Sequence, residues 1–243
     1  MVAKCSPGKK MPAHMLLIYL LLFDIIAIIA AISIGVSDGK PLRYLGEGYF
    51  ITWISALQLL AISWLAFTTL NVRRSKAGYL HWRAPFFIWL LISIGFLFLA
   101  LDDLFMIHES LDKKIHHFFN MKETGLSDRI DDFIIGLYGM FGIGTLYVYR
   151  EEIRNYRQAL PFLIYGFVLL FTMVALDALT NRKDVLGFLI GQRELVNNVY
   201  ISLSILEDSF KIMAESCFLI GFYIVSLISN KIPVSPTVQS FSK

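Results

Sequence analysis

Six apolar blocks separated by polar connections run along the chain, near residues 15–36, 49–70, 85–107, 131–149, 159–180 and 202–229. Each approaches the roughly 20 residues that an α-helix needs to cross the hydrocarbon core of a bilayer. No connecting stretch is long enough to fold as a separate soluble unit, so residues 1–243 are expected to form a single transmembrane domain. The expected fold class is all-α, a polytopic integral membrane helical bundle of about six transmembrane helices. The first block, Met15 to Val36, exceeds the roughly 7–15 residues of a secretory h-region. It also lacks a small-x-small cleavage site and is expected to stay as a helix.

Composition agrees with this pattern. Hydrophobic residues make up 56% of the chain and charged residues 17%, against about 25% charged in soluble domains. The lipid bilayer is the expected partner. A net charge of +3 argues for no nucleic-acid partner. Cys5 and Cys217, the two cysteines, define neither a disulfide nor a metal framework. Alternate connections carry twelve and nine basic residues, and the twelve sit in short segments such as Arg73-Arg74-x-Lys76 with Arg83. Basic residues near span ends favour the cytoplasmic side, so both termini are expected there. Nothing in the pattern sets an oligomeric state.

Charge inside apolar blocks carries the functional information. Such a group costs roughly 2.5–3.5 kcal/mol at a bilayer centre on insertion scales, so it normally faces a protein interior or water. One cluster is Asp102-Asp103 with His108-Glu109; the other is Glu207-Asp208 with Lys211 and Glu215. Asp24 lies near the middle of the first block, with Lys211 or Gln58 as candidate partners. Asp128, Asp131 and Asp132 open the fourth block, and Asp177 and Asn181 close the fifth. In the expected orientation the acids at the ends of blocks three to six gather toward the extracytoplasmic half, while Asp24 and Glu215 lie near the bilayer middle.

Helical phase refines the grouping. At about 100° per residue, Asp102, Glu109, Asp112 and His116 fall on one stripe, His108 flanks it and Asp103 points elsewhere. Glu207, Lys211 and Glu215 are spaced i, i+4, i+8, which predicts an ammonium held between two carboxylates of its own helix. Gly136 and Gly139 share a face with Asp132, where small residues favour simple helix packing. The connection from Ser110 to Arg129, with His116 and His117, is expected to continue the third block as an interfacial amphipathic helix. Glu151, Glu152, Arg154 and Arg157 are expected to form a solvated cytoplasmic face.

The segment Leu101-Asp102-Asp103-x-x-x-Ile107-His108-Glu109 resembles the Leu-Asp-(Asp/Glu)-x-x-x-Ile-His-Glu element that closes a membrane helix in a group of uncharacterised bacterial multi-pass membrane proteins. The later acids Glu207-Asp208 and Glu215 are similar to that group as well. The close match covers about ten residues. The resemblance implies residence in a bacterial inner membrane and a similar helix count, but no reaction.

Three functional readings stay open. The first is proton- or cation-linked transport or binding through Asp102, Glu109, Asp177, Glu207, Asp208, Lys211, Glu215 and Asp24, with a small ion as ligand. The second is a membrane enzyme acting on a lipid-like ligand, with a divalent metal ion held by Asp102, His108, Glu109, Asp177 and Asp208. The third is an accessory or sensory protein whose charges form structural ion pairs.

Overall fold

In the computed structural model the described residues are 12–46, 48–119, 130–180 and 193–233. The apolar run after Pro12 folds as α1, Ala13–Ser37. Its end is built by close backbone approach: a Cβ on Gly35 would lie 2.7 Å from the Lys40 carbonyl oxygen, so only glycine fits the turn. Helix α2, Phe50–Ala77, ends at Gly78, whose φ of 78° lets its N–H cap the Arg74 carbonyl at 2.9 Å. A 3-10 turn at Pro85–Phe87 leads into α3, Ile88–Phe105. Helices α4, Ile107–Phe119, α5, Ile130–Val148, and the short α6, Arg150–Arg154, follow. Helix α7, Leu160–Thr180, and the long α8, Arg193–Ser229, complete the described chain.

The protein is an all-α polytopic bundle, as the hydropathy pattern implies. Among the described residues, five stretches are long and apolar enough to cross a membrane: Ala13–Ser37, Phe50–Ala77, Pro85–Phe105, Leu160–Thr180 and Leu195–Ser229. The remaining expected block is α5, whose apolar stretch among the described residues, Gly136–Val148, is shorter. Ile25, Ile26 and Ile29 on α1, Met140 and Phe141 on α5, and Val168 and Phe171 on α7 all point away from the bundle. Water would not tolerate so continuous an apolar surface, and a bilayer covers it.

Helix α8 occupies the centre, packed against α7, α2 and α1, while α3 lies along α2. Two glycines allow the closest of these approaches. A Cβ on Gly166 of α7 would fall 2.7 Å from the Phe218 ring, and one on Gly221 of α8 would fall 2.6 Å from Leu163. The expected packing role of Gly136 and Gly139 is not seen among the described residues, since nothing there lies within 4 Å of the Cβ either would carry. Helix packing depends on what the opposite helix presents, which spacing within one helix does not reveal.

At one end of the bundle, Trp89, Tyr156 and Phe222 interlock, with Trp89–Tyr156 centroids at 4.9 Å. This aromatic layer encloses a buried ion pair. Arg73 donates through Nη2 to Glu152 Oε2 at 3.0 Å, and its Nε lies 2.9 Å from Oε1. Trp89 Nε1 and the Tyr156 hydroxyl also donate to Glu152 Oε1, at 3.1 and 3.2 Å. Burial, reinforced by the Glu152 carboxylate, pushes the Tyr156 phenol above its usual range and keeps it a neutral donor. Glu152 therefore does not belong to a solvated face; it is 2% exposed. A charge at this depth needs partners, and the fold supplies three donated hydrogen bonds together with the close Arg73 Nε contact.

Candidate functional site

The opposite half of the bundle, where α2 begins and α3 and α7 end, holds a second and differently balanced polar cluster. Asp24 on α1 is fully buried and satisfied by neutral donors. Gln58 Nε2 of α2 donates to Oδ1 at 2.8 Å, and the Ser216 hydroxyl of α8 donates to Oδ2 at 2.6 Å. Of the two partners expected from sequence, Gln58 is the one that reaches Asp24.

Next to this triad lies a charged group built from α2, α3 and α8. Ser55 Oγ stands 2.6 Å from Asp103 Oδ2 and 2.8 Å from Glu215 Oε1. Lys211 Nζ donates to Asp103 Oδ1 at 2.9 Å. Glu215 Oε2 is buried without a hydrogen-bond partner. Exposure grades through the site: the side chain of Lys211 is 29% exposed and that of Asp103 12%, whereas residue Glu215 is 6% exposed and Asp24 0%. The open edge is thus at Lys211 and the closed end at Asp24.

Two expectations are corrected here. Lys211 does not bridge Glu207 and Glu215 along α8; its ion pair crosses to Asp103 on α3. A lysine needs a carboxylate within about 4 Å to pair well, and the facing helix offers a closer one. Asp103, in turn, belongs to the site. The stripe that excluded it assumed one unbroken helix from Asp102 to His116, but Met106 takes the left-handed conformation, φ 49°, and ends α3. Residues on either side of that break do not share a phase.

The break has its own polar support. Asp102 Oδ1 accepts the backbone N–H of His108 at 2.9 Å, and its Oδ2 lies 2.9 Å from His108 Nδ1. Asp102 thereby caps the first turn of α4 in the manner of an N-terminal carboxylate. Glu109 turns outward to Lys113 at 3.2 Å, a pair one turn apart on α4. His116 is buried and His117 exposed, so only the latter sits as an interfacial residue would.

A third group lies further along α8. Glu207 Oε2 accepts the Thr180 hydroxyl at 2.9 Å, and the Asp177 carboxyl hydrogen-bonds with Glu207. Asp208 is half-buried and acts electrostatically on both Glu207 and Lys211. Among the described residues, no three His, Cys, Asp or Glu side chains approach closely enough to hold a metal ion. Asp102, His108, Glu109, Asp177 and Asp208 are dispersed over these separate groups. Asp128, Arg129, Asn181 and Arg182, and the side chains of Asp112, Asp131 and Asp132, lie outside the described residues.

Sequence alone does not mark Ser55, Gln58 and Ser216 as a site, although Gln58 is a candidate partner for Asp24. Serine is common in membrane helices, and only proximity to acids distinguishes these two. A family model matches residues 13–226, nearly the whole bundle and every residue of the site. The chain belongs to the family Domain of unknown function (DUF8692). No curated protein and no solved structure matches it. In this DUF8692 member the matched region runs from the first turn of α1 to the last turn of α8.

Proposed function

We propose that the protein performs ion-linked transport or binding, with the exchanging ion at the Asp24–Ser55–Asp103–Lys211–Glu215 site. The observation that carries this reading is charge imbalance at a buried place. Asp24 and Asp103 act electrostatically on Glu215, and among the described residues Lys211 is the cation paired at this site. Two negative charges remain if all three acids are ionised. Each unpaired buried charge costs several kcal/mol, so the site takes up positive charge when it closes and gives it up when it opens. The buried and unpartnered Glu215 Oε2 is the atom best suited to receive it.

The Arg73–Glu152 pair supplies the contrast. There one cation meets one carboxylate, and the pair carries no net charge. The basic residues in short connections support an orientation with both termini cytoplasmic, and the active half then faces the extracytoplasmic side. The likeness of Leu101–Glu109 to bacterial multi-pass proteins supports residence in a bacterial inner membrane.

The test is flux in liposomes containing the purified full chain, with imposed proton, sodium and potassium gradients. Flux of one of these ions that Glu215→Gln abolishes is the expected result. Absence of flux or ion-dependent binding for every ion, in parent and variant alike, overturns the reading.

A further inference from the structure

We infer that the ion at this site is a proton, carried on the Glu215 carboxyl and passed through the Ser55 hydroxyl to Asp103. This rests on the ion-linked reading above and names its ion. A serine hydroxyl owns one hydrogen and donates it to one acceptor. Ser55 Oγ nevertheless makes two short contacts, 2.6 Å to Asp103 and 2.8 Å to Glu215. The second contact needs a hydrogen of its own, and only a protonated carboxyl can bring one. Lys211 Nζ, 2.9 Å from Asp103, holds Asp103 as the ionised member. The acid is then Glu215, which donates to Ser55 while Ser55 donates to Asp103.

The unpartnered Glu215 Oε2 agrees independently. A neutral carboxyl tolerates a bare buried oxygen at a cost of about 1–3 kcal/mol, whereas an ionised one costs more. The groups facing Glu215 are Asp24 from α1, Ser55 from α2, Asp103 from α3 and Lys211 from its own helix. From α7, Asp177 faces Glu207 instead, about two turns along α8.

The transfer is balanced without any further reactant. The Glu215 O–H bond breaks as a new O–H forms on Ser55 Oγ, and the original Ser55 O–H breaks as one forms on Asp103 Oδ2. Glu215 is left as a carboxylate and Asp103 as a neutral acid beside the Lys211 ammonium. Ser55 is a positioning and relay residue that keeps no net charge.

Infrared spectroscopy of the full chain in lipid nanodiscs tests this directly, through the carbonyl stretch of a protonated carboxyl. A band is expected at neutral pH, identical in sodium and in choline buffer. Glu215→Gln removes it, and Ser55→Ala shifts it to the position of an acid with one hydrogen bond fewer. A missing parent band, a band unchanged by Glu215→Gln, or one that sodium displaces overturns the inference. Should Glu215→Gln fail to fold, Ser55→Ala decides alone, because an unshifted band is equally fatal. A band that behaves as expected without proton flux leaves the proton assignment standing and removes the transport reading. Sodium flux without the band does the reverse.

Discussion

Lys211 on α8 reaches across the bundle to Asp103 on α3, 2.9 Å from Nζ to Oδ1. The pair ties the central helix to the end of α3 beside the ion site. Removing one partner from a buried pair costs about 3–5 kcal/mol because the other charge is stranded. Lys211 is 29% exposed, so water screens the loss, and Lys211→Met or Asp103→Asn is expected to cost about 1–3 kcal/mol. The double variant strands no charge and is expected to recover part of that loss. A thermal-unfolding cycle in detergent reads the coupling, and strictly additive losses would show that the contact carries no energy.

Arg73 and Glu152 form the fully buried counterpart, with each at 2% exposure. Arg73→Ala or Glu152→Gln is expected to cost about 3–5 kcal/mol in thermal unfolding. Arg73 also donates to the Ile232 and Pro233 carbonyls, at 2.7 and 3.1 Å, so its loss frees the segment after α8. Protease cleavage beyond Asn230 is expected to accelerate in Arg73→Ala. Ion flux per folded molecule is expected to persist, since the clamp lies roughly 22–27 Å along α2 from Gln58 and Ser55. Flux lost in proportion to the ion-site variants would instead join the two ends into one functional unit.

The helices were legible in the sequence because a bilayer demands about 20 apolar residues whatever the tertiary structure. Asp24 and Glu215 were legible for the same reason: a carboxylate in such a run has to be paid for elsewhere in the fold. Asp103 was not, because the break at Met106 removes Glu109 and His116 from the stripe that set Asp103 aside, and its partners Ser55 and Lys211 lie on other helices. Arg73 and Glu152 read as solvated charges near a membrane border, and their pairing spans 79 residues that no local pattern connects. Ser55 acquires its meaning only from two acids on two other helices.

Gly166 and Gly136 offer a matched test of packing. Both are helical and lie in apolar surroundings, but a side chain on Gly166 meets the Phe218 ring while one on Gly136 meets open space. Gly166→Ala is expected to cost about 1–3 kcal/mol through overpacking at the α7–α8 contact. Gly136→Ala is expected to be neutral or to stabilise by up to about 1 kcal/mol, through the better helix propensity of alanine. Thermal unfolding of the two variants side by side decides the matter. A comparable loss in Gly136→Ala would reveal a partner packed on α5.

The α3–α4 break supplies the last prediction. Met106 holds a left-handed backbone that costs a side-chain-bearing residue about 1–2 kcal/mol, and the structure keeps it there by capping α4 with Asp102. Asp102→Ala removes both the cap on the His108 N–H and the contact with its ring. It is expected to cost about 1–2 kcal/mol, the usual worth of a side-chain cap. Met106→Gly relieves the backbone strain while surrendering some chain entropy, so it is expected to be neutral or slightly stabilising in the parent. Without the cap, the chain is free to continue α3 through Met106 as an unbroken helix. That would swing α4 and draw Asp103 away from Ser55 and Lys211. Asp102→Ala is therefore expected to weaken ion flux beyond its effect on stability, and Met106→Gly in the same chain is expected to restore part of it by favouring the break. Flux that tracks folded protein alone in both variants would confine Asp102 to a local cap.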